Sequence, residues 1–322
     1  MRTFLFKRIL QMIPVIMLVS VLAFMISYLA PGDPMDSYRL GDMSEEKIEE
    51  LRAELELDGT LVERYVGWLK NVCKGNLGYS IIKYQPVSKL ILDKLGNTIL
   101  LMGTSLLLSI VVSIPLGLCA GMNKNKLTDN IISLISYIGI STPAFWMGIV
   151  LTIVFSLKLG WLPNVGMRTT GVHTTIDLIR HLILPSVVLS LSNTATFTRY
   201  IRSNTIAQLE EDYILTARAK GLSTREILFG HVLKNCLLPI ITLVGMNFGN
   251  LVTGSFIVES IFGWPGMGTL GIVAINSRDY PLIMGFTMLS CLLLVFGNFL
   301  SDILYGVVDP RIKQEVDHAR NR

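Results

Sequence analysis

Long apolar runs alternate with short polar stretches along this chain, and the runs are too long for the core of a soluble domain. Six of them, at 9–30, 98–120, 131–157, 182–201, 237–258 and 282–305, reach the roughly 20 residues that a helix needs to cross the hydrocarbon of a bilayer. Their only charged residues are Arg199 and Asp302, each near one end of its run. Lipid offers the backbone no hydrogen-bond partner, so each run is predicted to be a helix, which closes its own bonds. The expected fold class is an all-α integral membrane protein with six transmembrane helices. A small helical extracytoplasmic insertion follows the first, and a cytoplasmic helix lies between the fourth and fifth. The first run is expected to stay as an anchor, because it is longer than the apolar part of a cleaved leader and Tyr28 and Pro31 suit no cleavage site.

The polar stretches have patterns of their own. In 31–97, Pro-Gly-Asp-Pro opens a turn. A helix follows from Ser44 with Ile48, Leu51 and Leu55 on one face, and a second covers 61–72 with Tyr65, Trp68 and Leu69 together. This piece is too small and polar to bury a large core alone, so it should pack on the membrane domain. In 207–239, residues up to Lys220 favour helix, and Ile206, Leu209, Tyr213 and Ala217 recur at helical spacing. Gly221 stands where a left-handed cap belongs, and Ser223-Thr224-Arg225-Glu226 reads as a capping box opening another helix. A stiff helix, glycine corner and helix form a lever that can move the spans on either side. On spacing alone, an ordinary solvated loop fits equally well.

Composition agrees with a membrane protein: 51% of the 322 residues are hydrophobic, 16% are charged, and mean hydropathy is +0.54. Charge sets the orientation. With the N-terminus inside, the short inner segments carry 15 of the 28 Lys and Arg and a net +7, against −2 outside. Both termini and the lever loop are then cytoplasmic, and the mild basicity is a topology signal unrelated to nucleic acid. The four cysteines are scattered and the four histidines lack ligand spacing, so no disulfide framework and no metal site are expected.

Small residues recur every fourth position in the second run, at Ser105, Ser109, Ser113, Gly117 and Gly121, a stripe that lets another helix approach closely. Pro143 and Phe145, in Ser141-Thr142-Pro143-Ala144-Phe145-Trp146, break the third run; a broken helix marks either a permeation path or a packing kink. Asn247 and Asn250 in the fifth run either join helices or line a polar path. Glu259, Phe262, Trp264, Pro265 and Gly266 belong to a tight outer loop with three glycines and a proline within six residues. No power source is visible. The chain has no Gly-Lys dipeptide for a phosphate loop, no mid-membrane charge for ion coupling, and no nucleophile or paired-carboxylate cluster. A channel, or one subunit of a machine powered by another chain, remains.

Several of these motifs carry a family resemblance. Asp212-Tyr213, Thr216-Ala217-Arg218-Ala219-Lys220-Gly221-Leu222 and Pro239 resemble the cytoplasmic loop of ATP-binding-cassette importer permeases. The strict Glu-Ala-Ala triplet of that loop is replaced by Thr216-Ala217-Arg218-Ala219, as in the peptide and nickel branch. Gly75-Asn76-Leu77-Gly78-Tyr79-Ser80, the Ser141–Trp146 motif with Leu159-Gly160-Trp161-Leu162-Pro163, the Glu259–Gly268 loop and Asp309-Pro310-Arg311 resemble the same branch. From the first span to Arg311, nearly the whole chain resembles its B-type transmembrane subunit.

The resemblance implies a tail and first helix at 1–30, an extracytoplasmic insertion at 31–97, a permease core at 98–306 with a coupling loop at 203–236, and a cytoplasmic tail at 307–322. It implies ATPase contact through a coupling helix bearing Glu211, Asp212, Tyr213, Thr216, Ala217, Arg218, Ala219, Lys220 and Gly221. The break in the third run and the two amides of the fifth make Pro143, Phe145, Asn247 and Asn250 candidates for the path, and the resemblance makes Glu259, Phe262, Trp264, Pro265 and Gly266 candidates for an outer gate or binding-protein contact. Expected partners are a C-type second permease, two ATPase subunits holding ATP and Mg, and an extracytoplasmic solute-binding protein, in a bacterial or archaeal plasma membrane. The chain itself would hold no cofactor and catalyse no reaction. Di- and oligopeptides are the expected cargo; nickel or a metallophore, and glutathione, are alternatives, and a self-contained channel or secondary carrier is a remote one.

Overall fold

The computed structural model describes residues 2–29, 44, 46, 59–246 and 248–308. Among these every regular element is helical, and extended pairing is limited to an isolated bridge between Tyr79 and Pro86. The helices are α1 (Arg2–Leu29), α2 (Leu61–Cys73), α3 (Val87–Met122), α4 (Leu127–Ser141), α5 (Ala144–Leu151), α6 (Thr175–Leu209), α7 (Asp212–Ala219), α8 (Thr224–Ile227), α9 (Leu233–Met246), α10 (Phe248–Ile261), α11 (Met267–Asn276) and α12 (Tyr280–Val308). Wider π-helical turns continue α5 over Thr152–Lys158 and join α8 to α9 over Leu228–Val232. The predicted helix after Ser44, the turn at 31–34 and the Asp309-Pro310-Arg311 motif lie outside the described residues.

By length and composition, four described helices can cross a membrane: Arg8–Leu29, Val87–Met122, Thr175–Leu209 and Tyr280–Leu300. The third predicted run makes a fifth only if α4 and the α5 segment count as one span, because the two meet at 106°. Pro143 causes the break. It has no N–H to donate, and Thr142 before it is extended at φ −86°, ψ 123°. Along the fifth predicted run the described residues are helical on both sides of Asn247, which itself lies outside the described residues: α9 precedes it and α10 follows it. In the second run the helix begins at Val87, inside the predicted insertion, so α3 is longer than its apolar stretch.

The chain divides into two compact units, Met1–Lys7 with Ile99–Trp264 and Phe296–Arg322, and Arg8–Thr98 with Pro265–Val295. The first is built on α6. The small-residue stripe of α3 lies against it as predicted. Ser109 donates to the Ser190 carbonyl at 3.2 Å, and the Thr104 and Ser186 hydroxyls share a hydrogen bond of 3.0 Å. A Cβ on Gly117 would stand 2.5 Å from that of Ile201, and one on Gly121 2.6 Å from that of Thr205. On α4, Gly139 gives Ala195 of α6 the same close access. Two apolar clusters fill the unit, one around Leu101, Leu184, Val188, Phe262 and Trp264, the other around Leu118, Ile201, Ile214, Val232 and Ile240.

In the second unit, Thr60 caps α2 in a full capping box with Glu63, which fixes the helix predicted at 61–72. Its Tyr65 and Trp68 pack on Phe24 of α1, and the Tyr65 and Ser20 hydroxyls share a 2.8 Å hydrogen bond. Gly75 and Gly78 take φ of +82° and +81°, and the turn they form delivers Ser80 to a buried hydrogen bond with Asp279. Thr98 accepts from the Met267 amide at 2.8 Å and Asn97 donates to the Pro265 carbonyl at 2.9 Å, holding the start of α11.

Candidate functional site

The corner predicted in the 207–239 stretch is formed by local chemistry. α7 ends at Ala219, and Gly221 follows at φ +82°. Its amide donates to the Arg218 carbonyl at 2.9 Å, and the Leu222 amide donates to that of Ala217 at 3.2 Å. These two bonds make a Schellman motif, which needs a residue at positive φ. Ser223 then caps α8: its hydroxyl accepts from the Glu226 amide at 3.3 Å, while its own amide donates to the Glu226 carboxylate at 2.8 Å. The Ser223 hydroxyl and amide hold the Glu226 carboxyl below the usual carboxylate range.

The buried face of α7 differs from the predicted stripe. α6 stops at Leu209, Glu210 and Glu211 break the helix, and α7 restarts at Asp212 with a new phase. Ile214 and Ala217 therefore face inward, against Leu118, Ile201, Ile227 and Leu228, while Tyr213 is exposed. The Tyr213 hydroxyl donates to Gln208, and the Asn235 amide donates to both Gln208 (2.7 Å) and Tyr213 (3.0 Å), pinning the ring between α6 and α9. Lys124 pairs with Glu210 at 3.0 Å on the surface.

The remaining predicted contact residues form an outward face. Glu211, Asp212, Thr216, Arg218, Ala219, Lys220 and Gly221 are exposed beside Tyr213, and Ala217 alone of the set is buried. Leu215 (56% exposed) and Phe229 (55%) stand among these charges. Ile214, Gln208 and Asn235, which hold the surface in place, were missed by sequence reasoning. Phase after a two-residue break and bonds between distant helices leave no local signature.

A second missed feature lies nearby. Asp129, 1% exposed in the first turn of α4, receives the Arg202 guanidinium through Nε and through Nη2, the latter at 2.7 Å. The Asn125 amide (2.9 Å) and the Ser133 hydroxyl (3.3 Å) complete its shell. Asn125 sits at φ +64°, a conformation Asn tolerates. One turn earlier on α6, Arg199 lies 4.6 Å from the Tyr137 ring centroid.

Of the candidate path residues, Pro143 caps α5 at the break and Phe145 is 52% exposed. Asn250 lies on α10, which packs against α5 where Gly148 meets Ile261 and Phe262. Asn247 lies outside the described residues. In the first unit's part of the tight loop, Glu259, Phe262 and Trp264 are buried. The Trp264 amide donates to the Glu259 carbonyl at 2.8 Å, and the Gly166 amide to that of Phe262 at 2.8 Å. In the second unit Pro265 accepts from Asn97, and Gly266 caps α11.

The sequence matches two families. One is described as binding-protein-dependent transport system inner membrane component, over residues 113–314; the other is its N-terminal membrane component, over residues 1–102. The oligopeptide transport system permease protein AppB of Bacillus subtilis (strain 168) is 42% identical over 315 residues, covering 97% of this chain and all of that one. The glutathione transport system permease protein GsiC of Escherichia coli (strain K12) is 35% identical over 313 residues, with 97% and 99% covered. Among solved structures, the MetNI methionine ABC transporter in an inward facing conformation matches with a TM-score of 0.54 at 17% identity, over 68% of this chain and 96% of that chain. The last is a likeness of fold. The chain belongs to the binding-protein-dependent transport system inner membrane component family, as an importer permease of the ATP-binding-cassette class in its peptide and nickel branch. A permease of this class is a multi-pass membrane subunit that works with ATPase and other partner subunits.

Proposed function

We propose that this subunit forms half of a path for di- or oligopeptides and that α7 is its coupling helix, seated against an ATPase subunit. One observation carries the reading. Tyr213, Leu215 and Phe229 are exposed apolar side chains among Glu211, Asp212, Arg218, Lys220 and Arg225. Surrounding charge keeps this surface out of lipid, and an apolar patch with a charged rim suits a protein partner. The buried Ile214 and Ala217 beneath it make the surface rigid, so a push on it moves α6 and α9.

The account includes six spans, with α4 plus α5 crossing as a broken pair and α9 with α10 making the fifth, and both termini cytoplasmic. A C-type permease supplies the other half of the path, two ATPase subunits bind ATP and Mg and hydrolyse the nucleotide, and an extracytoplasmic binding protein delivers cargo. Pro143, Phe145, Asn247 and Asn250 line the path. The burial of Phe262 and Trp264 favours the outer-gate role for the 259–266 loop over direct display to the binding protein. Glutathione is the second cargo reading, supported by the 35% identity to GsiC.

The test is uptake by the assembled complex in liposomes, with ATP inside and the binding protein and labelled peptides outside. Expected is ATP-dependent accumulation that Leu215→Asp abolishes. Cargo flux through the chain alone, without an ATPase, contradicts the reading and indicates a channel or carrier. Accumulation of labelled glutathione in place of peptides selects the second cargo.

A further inference from the structure

We infer that Asp129 and Arg202 are positioning residues of transport, a clamp that makes α4 travel with α6 when the coupling surface is pushed; this rests on the proposed role of α7. α6 ends two residues before α7, and Arg202 lies two turns above that end, so a displacement of α7 reaches Arg202 along a continuous helix. There the guanidinium grips Asp129 with two nitrogens on two oxygens, a geometry that resists both sliding and rotation. The Asn125 amide and Ser133 hydroxyl fix the carboxylate to its own turn and helix. The Lys124–Glu210 pair spans the same two segments at the surface. α4 has its other end free to respond: it stops at Ser141, and the chain turns by 106° at Thr142 and Pro143. A rigid helix, clamped at one end and hinged at the other, converts a push from below into a change of angle at the break beside Phe145.

The surrounding contacts separate clamping from packing. Gly139 lets α4 lie close on α6 at Ala195, and Arg199 covers Tyr137. These contacts hold the pair together by close packing, which is less directional than hydrogen bonds to a charged group. The bidentate pair is what sets register.

The experiment uses the assembled complex in liposomes with spin labels at Thr128→Cys on α4 and Ser203→Cys on α6, in a background with Cys73→Ala, Cys119→Ala and Cys291→Ala, which leaves only the buried Cys236. Dipolar broadening reads the distance between the labels with nucleotide absent and with ATP trapped by vanadate. The unmodified clamp is expected to keep the distance constant in both states. The double variant Asp129→Asn with Arg202→Gln leaves no charge buried alone, and is expected to show an interspin shift of about 2 Å on trapping, the scale of helix shifts at switching interfaces. Arg202→Lys, which keeps one charged contact, is expected to restore most of the constancy. A shift in the unmodified clamp, or constancy in the double variant, overturns the inference. A separate label at Thr224→Cys reads whether the α7–α8 surface is immobilised on assembly with the ATPase subunits. If it stays mobile, the coupling role itself fails; if it is immobilised and the double variant still shows no shift, the clamp alone fails.

Discussion

Ser80 and Asp279 are 199 positions apart in the chain, and their side chains share a hydrogen bond with neither exposed to solvent. The Asp279 carboxylate also accepts from the amides of Ile82 (3.4 Å) and Leu282 (3.2 Å), so one side chain orders the 78–82 turn and the start of α12. Ser80→Ala removes a donor to a buried side-chain oxygen, which costs about 1–3 kcal/mol. The expected readout is a lower thermal midpoint of the purified complex, with uptake per folded complex unchanged.

Gly221 separates backbone strain from crowding. It sits at φ +82° with nothing within 4 Å of where a Cβ would stand, so any penalty there comes from φ alone. Gly221→Val is expected to lose ATP-coupled uptake while still inserting in the membrane, because a β-branched residue is a severe outlier at positive φ. Gly221→Asn is expected to retain most activity, since Asn visits this region at little cost. Uptake and membrane content of the two variants, measured together, check both.

The two faces of α7 are expected to fail in different ways. Ala217→Asp places a carboxylate in the cluster of Ile214, Ile201 and Leu118 and should cost at least about 2 kcal/mol, seen as reduced yield of folded complex. Leu215→Asp lies on the exposed side, so folding should survive while co-purification of the ATPase subunits is lost. Equal folding yields with equal ATPase retention contradict the assignment of faces.

The α3 glycines are expected to differ from one another. Gly117→Ala and Gly121→Ala bring Cβ atoms within 3 Å of Ile201 and Thr205, an overpacking of about 1–3 kcal/mol. Gly103→Ala meets nothing within 4 Å and should be neutral or slightly stabilising. Thermal midpoints of the three variants test the ranking.

The features legible in the sequence were those written in neighbouring residues. Gly221 and the Ser223–Glu226 box announce the corner, the shared face of Tyr65, Trp68 and Leu69 announces α2, and the four-residue spacing from Ser105 to Gly121 announces a close helix pair. The break in the third run is legible at Pro143, but its 106° angle is not, because a missing N–H stops a helix without fixing the direction in which the chain resumes. Helical spacing puts Tyr213 and Ala217 in one apolar stripe because Glu210 and Glu211 are good helix formers; the helix breaks at those two residues, and Ala217 is buried while the Tyr213 ring is exposed. Asp129 gave no signal at all, being one polar residue at the start of an apolar helix whose partner lies 73 positions away. The α3 extension over 87–97 was hidden because hydropathy marks where lipid begins, and a helix can continue past it.

The most direct test of the coupling account is photo-crosslinking from the exposed face of α7. A benzophenone amino acid is placed at Leu215 in the assembled complex, with Val62 on α2 as the control. The account predicts an adduct between the Leu215 probe and an ATPase subunit, and none from Val62. An intact complex in which the Leu215 probe reaches only solvent or lipid contradicts it.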